Sequence, residues 1–298
     1  MKSDIPTAPL LAVPQHTAPT VRHDACTLPA LQRLSAMQKQ KIALVLSGGG
    51  ARGLAHIGAI EALERAGFVI SAVAGTSMGA LIGGMYAAGR LPRFREWVCG
   101  LDRYRVFGMV DFAFSSEGLV KGNRIMKALQ SMVPEVRIEN LAVPFSAVAA
   151  DLLTGREVVF DHGGLFDAIR ASISIPSVFR PVRSHGMVLI DGGTVNPLPL
   201  NRVVRQPGDR LVAVDVGGSF SGLCSSLNYY NLISVSSEIM IQQISRLMCR
   251  FYPPDLLVDI PCDLFGLFEF YRAAEIIEAG RRLTTEALRP HTVVPAVR

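Results

Sequence analysis

The chain has 298 residues, 49% of them hydrophobic, so it can bury a sizeable core as one large α/β domain with or without a small appendage. This composition excludes disorder for most of the chain. The net charge of +5 and the isoelectric point near 9.1 favour contact with anionic surfaces such as phospholipid headgroups or nucleic acid, but they do not identify a partner.

Both ends are predicted to be tails around a central domain at 41–290. Residues 1–40 are rich in Pro, Ala and Thr and have no continuous apolar segment, which predicts a loosely ordered tail and no signal peptide, with a short helix at Leu31 to Gln40. Residues 291–298 form the second tail.

The five cysteines lack a C-x-x-C pair, which favours free thiols in a reducing compartment and argues against zinc. They are Cys26, Cys99, Cys224, Cys249 and Cys262.

Two strand-turn-helix units come first. A strand at Ile42 to Leu46 and a helix at Leu54 to Ala66 enclose a glycine-rich turn. A strand at Val69 to Ala74 and a helix at Ala80 to Ala88 follow. The uncharged segment Ala66 to Gly89 imitates a membrane span, but its six glycines and its change from β-branched to helical residues favour a buried strand, turn and helix.

An arginine-rich stretch, Arg90 to Arg105, follows the second helix. It contains Arg90, Arg93, Arg95, Arg103 and Arg105, and the nearby aromatic residues are Phe94, Trp97, Tyr104, Phe107, Phe112 and Phe114. This pattern suits a surface that touches anionic lipid, and equally a solvated helix with its aromatic rings in the core. Residues 103–120 lack periodicity, which suggests a lid or mobile loop, and Asn123 resembles the N-cap of a helix ending at Met132.

The second half alternates between strands and helices. Strands are predicted at Phe145 to Ala150, Glu157 to Phe160, Met187 to Ile190, Leu211 to Val214 and Leu256 to Ile260, and helices at Leu165 to Ser172, Leu227 to Cys249 and Leu267 to Leu288. The first two of these strands are predicted to form a hairpin, and Leu211 to Val214 is predicted to be a central parallel strand. This alternation predicts a three-layer α/β/α fold with a mostly parallel sheet.

The glycine-rich turn is compatible with two chemistries. Gly48-x-Gly50-x-x-Gly53 between strand and helix satisfies the dinucleotide-binding fingerprint. That fingerprint requires an acidic residue near the end of the second strand, where this chain has Ile70 to Gly75 with no carboxylate. A Walker A lysine is absent as well.

The second strand instead leads into Gly75-Thr76-Ser77-Met78-Gly79, a Gly-x-Ser-x-Gly sequence at the position of a nucleophile elbow. Ser77 there could attack a carbonyl carbon. The N–H groups of Gly49, Gly50, Ala51 and Met78 could stabilise the resulting oxyanion.

Several residues could serve as the base for such a serine. The histidines are His16, His23, His56, His162, His185 and His291. His56 is expected to have a packing role in the first helix, and His162 and His185 lie in loops. Four aspartates each close a strand, where open α/β sheets place functional groups. They are Asp151, Asp161, Asp191 and Asp215, and Gly192-Gly193 adds weight to Asp191.

Three motifs in this order resemble the patatin-like phospholipase family: Gly48-Gly49-Gly50-Ala51-Arg52-Gly53, Gly75-Thr76-Ser77-Met78-Gly79 and Asp191-Gly192-Gly193. The resemblance extends through Ala171 to Pro176 and Asn196 to Pro199 and covers about Lys41 to Leu288. Within the family, the chain most resembles the compact bacterial branch, which is also similar to the catalytic domain of neuropathy target esterase.

The resemblance implies a Ser77–Asp191 dyad without histidine and an oxyanion hole at Gly48 to Gly53. It implies hydrolysis of lipid acyl esters through an acyl-serine, with no cofactor, metal or nucleic-acid partner. We expect a cytoplasmic protein or one that binds peripherally to a membrane, with Arg90 to Arg105 as the candidate contact for an anionic membrane surface. Two alternatives stay open: a nucleotide-binding oxidoreductase and a non-catalytic membrane-binding module.

Overall fold

The computed structural model describes residues 40–109, 122–133, 136–176, 178–219 and 229–289. All of them belong to one compact unit, Lys39–Arg298. The predictions for residues 1–39, 110–120 and 291–298, which include both tails and most of the suggested lid, lie outside the described residues.

Within the described residues, eight strands form one sheet in the order β5-β6-β3-β2-β1-β7-β8, with β4 paired to β3. They are β1 (Lys41–Leu46), β2 (Val69–Thr76), β3 (Phe145–Asp151), β4 (Glu157–Phe160), β5 (Val182–Ser184), β6 (Met187–Asp191), β7 (Arg210–Asp215) and β8 (Leu256–Asp259). The strands β3, β2, β1, β7 and β8 are parallel, whereas β4, β5 and β6 join in antiparallel pairs. The predicted mostly parallel sheet is therefore confirmed.

The described residues also contain eight α-helices. They are α1 (Ala55–Arg65), α2 (Met78–Ala87), α3 (Leu91–Cys99), α4 (Arg103–Met109), α5 (Asn123–Met132), α6 (Leu165–Ser172), α7 (Tyr229–Phe251) and α8 (Ala273–Ala287). A 3-10 helix at Gly50–Leu54 connects the glycine turn to α1.

Both faces of the central sheet are covered, as the alternation of side chains along a strand requires. In β1, Leu44 and Leu46 face the main core formed with α1, α2 and α8. Val45 points to the opposite face, where it packs with Leu198, Leu200 and residues of α7. Helices on both faces of the sheet produce the predicted three-layer arrangement.

The strands β2 and β6 share one edge of β3. Val148 pairs with Thr76 of β2 and with β4, and the next residue, Ala149, pairs with Asp191 of β6 and with β4. Because β4 occupies the other edge at both positions, β2 and β6 must follow one another along the same edge. β2 runs parallel to β3 and β6 runs antiparallel, so their carboxyl ends meet.

Several element boundaries differ from the sequence prediction. The arginine-rich stretch forms α3 and α4, because its apolar residues recur at helical spacing and Phe94 and Val98 are buried. The short strand β5 was not predicted. The last helix begins at Ala273 instead of Leu267, and Gly122 rather than Asn123 is the N-cap of α5, in a left-handed conformation.

The uncharged segment Ala66 to Gly89 forms β2 and α2, as predicted. Within the described ranges, no helix is long and apolar enough to cross a membrane.

Candidate active site

Ser77 occupies a strained turn between β2 and α2. Its φ of 55° and ψ of −121° lie outside the regions that L-residues favour. The turn requires glycine on both sides of the serine, because the backbone passes too close there for a side chain. A Cβ on Gly79 would lie 2.2 Å from the carbonyl oxygen of Leu46, and a Cβ on Gly75 would lie 2.4 Å from the carbonyl of Gly79. A strained serine between two obligatory glycines has the local structure of a nucleophile elbow.

Asp191, the last residue of β6, lies next to this serine. The Ser77 hydroxyl donates to Oδ2 of Asp191 at 2.5 Å, and the Gly193 N–H donates to Oδ1 at 2.7 Å. Both side chains are buried, with Ser77 4% and Asp191 7% exposed. Burial raises the pKa of Asp191 to about 6, and the hydrogen bonds from Ser77 and Gly193 oppose this effect.

The last residue of α6 and the segment that follows it contact both residues. The Ser77 N–H donates to Oγ of Ser172 at 2.8 Å, and that hydroxyl donates to the carbonyl oxygen of Val148 at 2.5 Å. Two residues later, the carbonyl oxygen of Ser174 accepts the N–H of Asp191 at 2.9 Å. Sequence reasoning missed these roles, although Ala171 to Pro176 was among the motifs of the resemblance.

The glycine turn lies against the serine, since a Cβ on Gly48 would be 3.3 Å from the Cβ of Ser77. Two of its N–H groups are already used: Gly48 donates to the carbonyl of Pro197 at 3.0 Å, and Ala51 donates to the carbonyl of Leu267 at 2.8 Å. Within the described part of the chain, the N–H groups of Gly49 and Gly50 have no acceptor. The set of candidate oxyanion donors is therefore smaller than the sequence suggested.

Two buried side chains hold the carbonyl groups of this turn. His56 Nε2 lies 2.9 Å from the carbonyl oxygen of Ser47, and Arg52 Nε donates to that of Gly49 at 3.3 Å. In a trans peptide the C=O and N–H point in opposite directions, so holding the Gly49 carbonyl directs the Gly50 N–H away from Arg52.

Arg52 itself is held from two sides. Its guanidinium donates to Glu238 of α7 at 2.9 Å and to the carbonyl of Cys262 at 2.8 Å. Arg52 thus connects the turn to α7, and its side chain is directed to these partners. Gly53 packs against Met78, since a Cβ there would be 2.2 Å from the Met78 Cγ.

His56 is neutral, because burial lowers its pKa to about 4. Its Nε2 must carry the proton to donate to the Ser47 carbonyl, and its Nδ1 has no partner among the described residues. The expected packing role agrees with this position behind the turn.

The remaining candidate bases lie elsewhere. His162 is exposed and its Nδ1 is 2.6 Å from Asp161, while His185 is in the turn between β5 and β6. The other three histidines, His16, His23 and His291, lie outside the described residues.

Of the four strand-ending aspartates, only Asp191 contacts Ser77 within the described ranges. Asp151 accepts the Thr154 hydroxyl and the N–H of Val188. These bonds, that of Thr154 foremost, lower its pKa. Asp215 is buried at the end of β7, which raises its pKa, and it accepts the N–H of Gly217.

Most arginines of the Arg90 to Arg105 stretch have partners within the protein. Arg93 donates to the carbonyl of Met132, and Arg95 pairs with Glu61. Arg103 lies over the ring of Tyr271, and Arg105 bonds to the Gly100 carbonyl. Phe94 and Trp97 pack against each other with ring centroids 5.7 Å apart. These contacts favour a helix packed on the protein over a surface reserved for lipid.

The family model of patatin-like phospholipases matches residues 44–204. An uncharacterized NTE family protein of Mycobacterium tuberculosis strain H37Rv is 31% identical, over 87% of this chain and 94% of that protein. The lysophospholipase nte1 of Emericella nidulans is 29% identical over 83% of this chain but only 18% of its own length. Among solved structures, VipD from Legionella pneumophila has a TM-score of 0.45 at 14% identity, covering 85% of this chain and 67% of that chain.

The match over 44–204 defines the class of the protein, an enzyme that hydrolyses lipid esters. The chain belongs to the patatin-like phospholipase family.

The raised pKa of Asp191 predicts a pH-dependent cost to stability. Since the folded-state pKa of about 6 exceeds the unfolded value of 3.8, the folded protein binds this proton more tightly, and stability falls as pH rises from about 4 to 6. Asp191→Asn removes the charge, so it should raise the free energy of unfolding near pH 8 by up to about 3 kcal/mol and have little effect below about pH 4.

Urea unfolding of wild type and variant at both pH values measures this effect. The exposed Asp161 provides the control, because Asp161→Asn should produce no such gain. A variant that is equally or less stable than wild type at the higher pH would contradict the buried, ionised carboxylate.

Proposed function

We propose that the protein hydrolyses fatty-acyl esters of phospholipids or lysophospholipids through an acyl-enzyme on Ser77, with Asp191 as the general base. The observation that carries this proposal is the 2.5 Å hydrogen bond between the two side chains, both buried and adjacent to the glycine turn. A serine needs a base within hydrogen-bond reach to act as a nucleophile, and Asp191 meets that requirement.

The reaction proceeds in two transfers. The Ser77 oxygen attacks the ester carbonyl carbon while its proton passes to Oδ2 of Asp191. When the tetrahedral intermediate collapses, the C–O bond to the leaving alcohol breaks and that alcohol takes the proton from Asp191. Asp191 then removes a proton from water, which attacks the acyl-serine. When this second tetrahedral intermediate collapses, the bond from the acyl carbon to the Ser77 oxygen breaks, Asp191 returns the proton to that oxygen, and the fatty acid is released.

The oxyanion of each intermediate is bound by the N–H groups of Gly49 and Gly50, supported by the Met78 N–H at the start of α2. Removing a single donor of this kind typically costs about 3 to 4 kcal/mol of transition-state stabilisation. Because Arg52 and His56 hold the turn in place from behind, the donors require little reorganisation during the reaction.

Burial explains how an aspartate can act without a histidine. A carboxylate with the usual pKa near 3.8 is a weak base, whereas a pKa of about 6 brings Asp191 closer to the pH of the reaction. The hydrogen bond between Ser172 and the Ser77 N–H positions the nucleophile, so Ser172 is a positioning residue.

A lysophospholipid is the first substrate to test, since relatives such as nte1 of Emericella nidulans are named lysophospholipases. The oxidoreductase alternative is disfavoured, because the N–H groups of Gly48 and Ala51 are occupied and the second strand ends in Thr76 without a carboxylate. A peripheral position at a membrane belongs to this proposal, because the substrate is a lipid.

A fluorophosphonate probe tests the nucleophile directly. The probe should label the wild-type protein on Ser77, because the serine is activated by its bond to Asp191. Peptide mapping by mass spectrometry identifies the labelled residue.

Two variants make this labelling test specific. Ser77→Ala should abolish labelling, and Ser131→Ala, which changes an exposed serine of α5, should leave it intact. Labelling that persists in Ser77→Ala would refute the assignment of the nucleophile.

The pH profile of hydrolysis tests the base. Because Asp191 must be ionised to accept the serine proton, kcat/KM for a soluble short-chain ester should increase about tenfold per pH unit up to about pH 6 and level off above it. A profile that is flat between about pH 4 and 7 would argue against a carboxylate base with this pKa.

A further inference from the structure

The helix α7 has an exposed face that is rich in large apolar side chains. Leu232, Ile239 and Leu247 lie within one arc of the helix and are about half exposed, and Met240 is 60% exposed. Phe251, the last residue of the helix, is 75% exposed. We call this arc the outer face of α7. Large apolar residues gathered on one side of a helix mark an interaction surface more often than isolated ones do.

The opposite side of α7 contacts the proposed active site. Glu238 binds Arg52 of the glycine turn, and Gln242 donates to the carbonyl of Gly218 at 2.7 Å. Glu238 immediately precedes the exposed Ile239 in the chain, so one residue of the outer face is adjacent in sequence to the group that binds Arg52.

A second segment that contacts Arg52 and the glycine turn also has exposed apolar side chains. Arg52 also donates to the carbonyl of Cys262, and the neighbouring Leu267 carbonyl accepts the N–H of Ala51. Within this segment Leu264 is 41% and Phe268 61% exposed. Exposed apolar side chains therefore occur on both elements that hold the glycine turn.

The charge of the outer face indicates which surface it fits. Arg246 and Arg250 are exposed on the same arc and have no acidic partner among the described residues. The acidic residue of α7, Glu238, is bound to Arg52. An arc with apolar residues, arginines and no free carboxylate is typical of a helix lying in the interface of an anionic bilayer.

We propose that the outer face of α7, together with Leu264 and Phe268, docks onto an anionic phospholipid bilayer. In this position the apolar side chains enter the acyl-headgroup boundary, Arg246 and Arg250 contact lipid phosphates, and the elements that hold the glycine turn lie at the membrane. The biological role of this docking rests on the proposed lipid hydrolase function, but binding of the protein to vesicles can be measured independently of catalysis. It replaces Arg90 to Arg105 as the expected lipid contact.

Co-sedimentation with vesicles tests the docking. The full chain is mixed with vesicles of equimolar phosphatidylglycerol and phosphatidylcholine or of phosphatidylcholine alone. Wild type should bind the anionic vesicles more strongly. The double variant Ile239→Gln/Leu247→Gln should reduce its partition coefficient by roughly tenfold or more, because two apolar side chains no longer enter the interface.

The charge contribution is measured separately. Arg246→Gln and Arg250→Gln should each weaken binding to the anionic vesicles by about fivefold and have little effect on neutral ones. Val204→Gln, which changes an equally exposed apolar residue outside α7, is the matched control and should bind like wild type.

Turnover of a soluble short-chain ester separates this proposal from the hydrolase function. The α7 variants should keep the wild-type rate on that ester while losing hydrolysis of vesicle lipid. Absence of ester turnover in wild type would refute the hydrolase function alone. Vesicle binding that is unchanged in the α7 variants would refute the docking, as would a concentration-dependent dimer in sedimentation velocity that the double variant abolishes.

Discussion

The candidate site depends on one feature of the sheet, the shared edge of β3. Thr76 and Asp191 pair with the adjacent residues Val148 and Ala149, and the two strands that carry them approach from opposite directions. Their carboxyl ends meet in the middle of the sheet instead of at its outer margin. The residue after Thr76 is therefore held beside the end of β6 by backbone hydrogen bonds on both sides, which leaves little freedom in the distance between Ser77 and Asp191.

The same burial that makes the site chemically useful also opposes folding. A carboxylate at the centre of the sheet loses its hydration, and two hydrogen bonds compensate for only part of that loss, so its pKa rises. The serine adds backbone strain at a positive φ of 55°. The surrounding contacts, from Ser172 at the serine to Arg52 behind the glycine turn, are what keep such an unfavourable arrangement in one conformation.

Much of this fold, and the position of the nucleophilic serine, follow from local sequence patterns, but the choice of the base among the aspartates does not. The two strand-turn-helix units and the serine elbow were predicted because glycine spacing and apolar periodicity are local signals. Four aspartates ended strands equally well, and the pairing that selects Asp191 depends on a register between segments far apart in the chain. Likewise, the local sequence does not reveal that the N–H groups of Gly48 and Ala51 are already hydrogen-bonded, because their acceptors, the carbonyl groups of Pro197 and Leu267, lie far away in the chain.

The central claim is that Ser77 and Asp191 act as one catalytic unit. The most direct test compares kcat/KM for lysophospholipid hydrolysis in Ser77→Ala, Asp191→Asn and the double variant. If two residues act as one unit, removing either of them already abolishes their joint contribution to catalysis. The kcat/KM of the double variant should therefore be no lower than that of the more impaired single variant. Losses that multiply in the double variant, or an Asp191→Asn protein with wild-type activity, would contradict the account.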